Sequence, residues 1–104
     1  MGGDPNTQFF FLKLNPPRPT FPVDITEAER AVMAEHAAYW RGWTEKGKVV
    51  VFGPVMDPNG VFGMAVVEAK SEDEVLGLIA GDPVTKAGLG SYEVHPMRVG
   101  AVRG

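Results

Sequence analysis

With no cysteine and only two histidines, the chain has few side chains able to exchange a proton near neutral pH. His36 falls between Met33 and Trp40 in a stretch of helical spacing, which aims its ring at the interior, where an imidazole needs a polar partner. His95 precedes Pro96 in a terminal strand and is expected to be a half-buried strand residue. A metal site on histidines so far apart would have to lean on carboxylates, and none is expected. No covalent nucleophile stands out, and the Gly-x-Ser-x-Gly elbow, the phosphate loop, the dinucleotide fingerprint and the His-x-x-x-His pair are all missing. What remains is acid-base chemistry, an imidazole with a carboxylate to orient it and stabilise its charge. Asp82, just past a short helix and ahead of Pro83, is placed to cap a turn running from Pro83 to Ala87. Arg18, among prolines, is either a solvated loop residue or an anion clamp at the mouth of a cleft. Tyr39, Trp40 and Trp43 are candidate pocket walls, although an aromatic stripe at helical spacing is more often core.

The elements that must position these groups are also visible. The densest apolar segment lies between Lys48 and Ala69, where Val49-Val50-Val51-Phe52 and Met64-Ala65-Val66-Val67 flank Asp57-Pro58-Asn59-Gly60. Pro58 presets φ at the first turn corner and Gly60 can take a positive φ, so a β-hairpin with a tight surface turn is expected. Neither arm alternates apolar with polar residues, and each is therefore expected to be covered on both faces. Gln8 to Leu14 behaves in the same way. Beyond Asn15, four prolines (Pro16, Pro17, Pro19, Pro22) are expected to keep the chain extended as far as Asp24. Thr26 and Glu29 match a capping box that opens a helix running to Lys46, stopped by Gly47, with Met33, His36, Trp40 and Trp43 on one stripe. Ser71 and Glu74 repeat the box before a shorter helix ending at Gly81. The last strand, Ser91 to Val102, carries Pro96 and so belongs at an edge or a bulge.

Strand, helix, strand, strand, helix, strand is the order of a ferredoxin-like βαββαβ domain, an α+β fold whose four-stranded antiparallel sheet carries both helices on one face. The opposite face would be bare and apolar, and a second copy of the chain, packed sheet to sheet, is the simplest cover. At 104 residues there is room for one core, expected over residues 8–104 behind a disordered tail at residues 1–7. A net charge of −3 with no basic stripe argues against nucleic acid or an anionic membrane surface as partner. No apolar run approaches the ~20 residues of a membrane span. Met1 to Gln8 lacks the build of a secretory signal, and the absence of cysteine suits a reducing cytoplasm.

Glu35-His36 in the first helix, Lys46-Gly47 at its end, Phe52-Gly53-Pro54-Val55 leading to Asp57 and Gly60, Asp82-Pro83 with Ala87-Gly88, and Val94-His95-Pro96 together resemble the YciI-like, or YCII-related, domain family over about Gln8 to Val102. The resemblance implies a ferredoxin-like fold dimerising as an α+β barrel, with a histidine and aspartate pair as active site, here His36 and Asp82. It also implies small, often aromatic substrates and lyase-like or dehydrohalogenase-like proton transfer. The Pro16 to Pro22 insertion and the Trp40, Trp43 pair depart from the shortest members and bear on the pocket. Three readings follow: a cofactor-free enzyme in which His36 is general base or acid and Asp82 its orienting partner; a non-catalytic ligand-binding or regulatory dimer; and a structural dimer in which His36 is a core histidine and Asp82 a cap. Cofactor-free monooxygenases share the barrel architecture, but a shared fold says little about reaction.

Overall fold

The structure, a computed structural model, describes residues 6–103, so the expected tail over residues 1–7 lies mostly outside the described residues. Four strands, β1 (Gln8–Asn15), β2 (Val49–Val55), β3 (Phe62–Ala69) and β4 (Ser91–Met97), form one antiparallel sheet in the order β2-β3-β1-β4. Two helices, α2 (Glu27–Glu45) and α3 (Glu72–Ala80), and two single turns, α1 (Phe21–Asp24) and α4 (Pro83–Lys86), complete the chain. This is the ferredoxin-like α+β arrangement. Phe10 and Leu12 of β1, Val49 of β2, and Ala65, Val67 and Ala69 of β3 are buried with Trp40 of α2 and with Val75 and Leu78 of α3, so both helices share one sheet face.

Burial along β1 alternates strictly: Phe10, Leu12 and Leu14 are buried under the helices, while Phe9, Phe11 and Lys13 on the other parity are partly exposed. The run of valines in β2 conceals a bulge. Val49 pairs with Val67 and Val51 with Val66, leaving Val50 as the extra residue, so Val49 and Phe52, three apart, both pack against the core. Val51, on the helix-free face opposite Val66, is 49% exposed. The hairpin turn is the expected one: the Gly60 N–H donates to the Asp57 carbonyl at 2.9 Å, the Asn59 N–H to Asp57 Oδ1 at 2.9 Å, and Gly60 sits at φ 149°.

The capping box of α2 is complete, with Thr26 Oγ1 accepting from the Glu29 N–H at 3.1 Å and Glu29 Oε1 accepting from the Thr26 N–H at 2.9 Å. At α3 only half of the expected box forms. Ser71 Oγ caps Glu74, but the Glu74 carboxylate accepts from the Lys70 N–H and from the Lys48 ammonium, because a cation offers it a stronger bond than the Ser71 amide would.

Three other expectations are corrected. The proline-rich segment is not extended throughout: Phe21–Asp24 is a helical turn with Pro22 inside its first turn, where a missing N–H costs no hydrogen bond. β4 stops at Met97, short of Val102, since Met97 pairs with Phe9 and β1 has nearly run out there. His95 is not half-buried. Its side chain is 55% exposed because it lies opposite Phe11 on the face that no helix covers. Pro96 lies in β4 at the edge of the sheet, where its missing donor leaves no partner strand unsatisfied. Among the described residues no helix is long and apolar enough to cross a membrane.

Candidate active site

Asp82 is fully buried, a position that a carboxylate can hold only with several donors around it. Four side-chain and backbone groups supply them. His36 Nδ1 lies 3.0 Å from Oδ1 and 2.9 Å from Oδ2. Trp40 Nε1–H donates to Oδ2 at 2.9 Å, the Tyr92 hydroxyl donates to the same oxygen at 2.5 Å, and the Val84 N–H donates to Oδ1 at 3.0 Å. The sequence arranges this locally. His36 and Trp40 are four residues apart on α2 and so stand on one face, one turn from each other. Asp82 is the N-cap of α4, and Pro83 at the first helical position fixes the backbone behind it. Tyr92 comes from β4, next to Leu14 of β1.

Burial works against charge on Asp82, but the donors from His36, Tyr92, Trp40 and Val84 outweigh it and hold the carboxyl below the usual carboxylate range. Burial raises the Tyr92 phenol well above its normal value, and the bond to Asp82 adds to the shift, so Tyr92 remains a hydrogen-bond donor. An ionised Asp82 can only accept, which places a hydrogen on His36 Nδ1 and leaves Nε2 of a neutral ring with a lone pair. Nε2 makes no hydrogen bond among the described residues.

His36 lines a cavity of about 360 Å³. Leu14, Phe52, Gly63 and Ala65 form its sheet side, Met33, His36 and Trp40 its α2 side, and Phe21 of α1, Leu89 and Tyr92 close the rest. β3 contributes the small residues Gly63 and Ala65 to this wall, and Gly63 also lets its cross-strand neighbour pack close, since a Cβ there would stand 3.3 Å from Leu14 Cβ. Asp82 lies behind the wall, where one carboxylate both caps α4 through the Val84 N–H and bonds His36 Nδ1.

The remaining candidates are placed elsewhere. Arg18 does not line the cavity; Nη1 and Nη2 donate fork-to-fork to Glu29 at 2.9 and 2.8 Å, and Nε donates to Asp24 Oδ1 at 2.8 Å. The anion it clamps is internal. Those bonds raise its own pKa further, hold Glu29 down at about 2, and lower Asp24, where Thr20 contributes first and Arg18 second. Tyr39 lies outside the cavity lining, its hydroxyl donating to the Leu78 carbonyl at 2.7 Å and its ring set edge-on to Trp40. Its hydroxyl sits where a Cβ on Gly81 would come within 2.5 Å, which explains a small residue just before Asp82. Trp43 also stands outside, under the Lys46 ammonium at 4.8 Å. Of the proposed walls only Trp40 faces the space. Tyr92 escaped sequence reasoning: nothing in the mixed run Ser91 to Met97 singles it out, and its reach to Asp82 depends on the β1-β4 register. Among the described residues, no three His, Asp or Glu side chains converge as a metal site would require.

A ferredoxin-like domain with a half-buried histidine in the wall of an apolar cavity, held by a buried aspartate behind it, is thus the class that fold and site define. The chain belongs to the YCII-related domain family, whose model matches residues 9–98. Among solved structures it is similar to the 5-chloro-2-hydroxyhydroquinone dehydrochlorinase of Burkholderia phenoliruptrix AC1100 in complex with 2,5-dihydroxybenzoquinone, at 28% identity and a TM-score of 0.64, covering 88% of this chain and 95% of that one. An uncharacterized protein of Thermotoga maritima shares the fold at 13% identity and a TM-score of 0.51, over 88% of this chain and 99% of the other. No curated protein matches.

Proposed function

We propose that the protein is a cofactor-free enzyme that moves protons on a small ring compound, His36 being the base and acid and Asp82 its orienting partner. The observation that carries this reading is His36 in the wall of an apolar cavity, its Nδ1 bound to both oxygens of a buried carboxylate and its Nε2 without a hydrogen bond among the described residues. Binding the ring there excludes water. Asp82 then offsets the charge that appears when Nε2 accepts a proton, without itself taking one.

The dehydrochlorinase at 28% identity suggests the form of the reaction, loss of hydrogen halide from a halogenated, hydroxylated ring. Its balance needs no oxidant. One hydroxyl proton passes through His36 to the halogen-bearing carbon, the O–H electron pair becoming a carbonyl bond. Removal of a second hydroxyl proton forms the other carbonyl as the carbon-halogen pair departs with halide, leaving a quinone. Chloride release from 5-chloro-2-hydroxyhydroquinone tests this directly: the parent should turn over, and His36→Asn, folded by circular dichroism, should lose at least about 100-fold in rate. Undiminished release by the variant would overturn the reading, and ligand binding by the parent without any release would favour a binding module.

We propose further that the working form is a cytoplasmic homodimer joined through the helix-free sheet face. Support comes from Phe9, Phe11, Val51 and Val66, apolar side chains on that face that the described residues leave partly or largely exposed.

A further inference from the structure

We infer that the cavity selects an uncharged ring that carries a hydroxyl donor and turns away the same ring once it bears a carboxylate or phosphate; this rests on the proposed function and names its substrate class. The cavity lining contains no Lys, Arg, Asp or Glu among the described residues. Its polar side chains are His36, Trp40 and Tyr92, and each already bonds to Asp82. An anionic substituent would therefore enter an apolar space with no lysine or arginine to pair it, beside a buried carboxylate of the same sign. Arg18, the cation of the adjoining loop, is committed to Glu29 and Asp24 and cannot serve without breaking that network. Of the nitrogens on the three polar lining side chains, the one left without a hydrogen bond is His36 Nε2, an acceptor when the ring is neutral. A ligand must bring an O–H or N–H to it, and the rest of its surface must be apolar.

The same hydroxylated ring in charged and uncharged forms separates charge from bulk. Chlorohydroquinone, methyl 2,5-dihydroxybenzoate and 2,5-dihydroxybenzoate would be titrated at pH 7 into the full chain, following the Trp40 indole signal, with Trp43, outside the cavity, as internal control. The two neutral compounds should shift Trp40, and the free carboxylate should bind at least about 100-fold more weakly than its ester, the scale set by burying an unpaired charge. A carboxylate binding as tightly as its ester would overturn the inference even if chloride release is confirmed. Failure of ester and acid together, with chlorohydroquinone bound, would also overturn it, since bulk alone would then account for the exclusion. If all three leave Trp40 unmoved, the inference falls together with the proposed site. Selective binding combined with undiminished chloride release in His36→Asn would retain the inference and refute the catalytic assignment.

Discussion

Replacing Asp82 by asparagine changes one oxygen to an amide nitrogen in a site with no room for an extra donor. Oδ2 receives His36, Trp40 and Tyr92, and Oδ1 receives His36 and Val84. If the amide oxygen takes the Oδ2 position, its nitrogen points at the Val84 N–H, donor against donor. Rotated the other way, it orphans the Trp40 indole N–H, which is just as buried. One unsatisfied buried donor costs about 1–3 kcal/mol, and bonds to a carboxylate that become bonds to an amide lose about 1 kcal/mol more apiece. A total of about 3–5 kcal/mol agrees with the cost of removing one partner from a buried pair. At a urea m-value of about 2 kcal/mol/M, the unfolding midpoint should fall by about 2 M. The deficit has a pH signature as well. Because folding depresses the Asp82 pKa, its contribution is complete above the normal carboxylate range and disappears as the pH drops through the folded value. Parent and variant should therefore converge on acidification below about pH 4. A difference under about 1 kcal/mol at pH 7, or one that persists unchanged to pH 2, would refute this account of the site.

Two further predictions concern the surroundings of the site. Light scattering at micromolar concentration should report about twice the 11.2 kDa chain mass, and Phe11→Asp, a charge on the helix-free face, should yield monomer or unfolded chain; a parent that is monomeric would remove the dimer proposal. Arg18→Met should loosen α1 and speed hydrogen exchange at the Val23 and Asp24 amides, both bonded to the Thr20 carbonyl, whereas in the parent protection should last until the pH nears the Glu29 value of about 2, because a depressed acid loses its contribution only as the pH falls through the folded pKa. Equal exchange in parent and variant would show that Arg18 does not hold the turn.

Local chemistry made much of the molecule legible from sequence. Thr26 with Glu29 and the Asp57 to Gly60 turn each act over a few residues, and both formed as their types dictate. His36 was legible as an inward-facing polar group in need of a partner, and Asp82 as a cap with the right charge. What could not be read depended on choices made elsewhere in the chain. The bulge at Val50 sets which valines face the core, and a run of identical side chains carries no sign of it. Pro22 fits an extended chain and the first turn of a helix equally well, and the turn is held by contacts the local sequence does not announce, Arg18 onto Asp24 and Glu29, Thr20 onto Asp24 and the burial of Phe21. Tyr92 matters through strand register, a long-range property. Tyr39 and Trp43 share the helical neighbourhood of Trp40, yet they stand about 100° and about 60° around α2 from it and meet other surfaces.

The convergence of donors on Asp82 gives the protein spectroscopic reporters that need no label beyond ¹⁵N. The Val84 amide proton and the Trp40 indole proton each end on an oxygen of this carboxylate, and neither group titrates. Any event that redistributes charge between Asp82 and the His36 ring must move both resonances together, one through the cap of α4 and the other through the face of α2. Proton movement at the site can therefore be followed from two amino acids that take no part in it, even with a substrate that is spectroscopically silent.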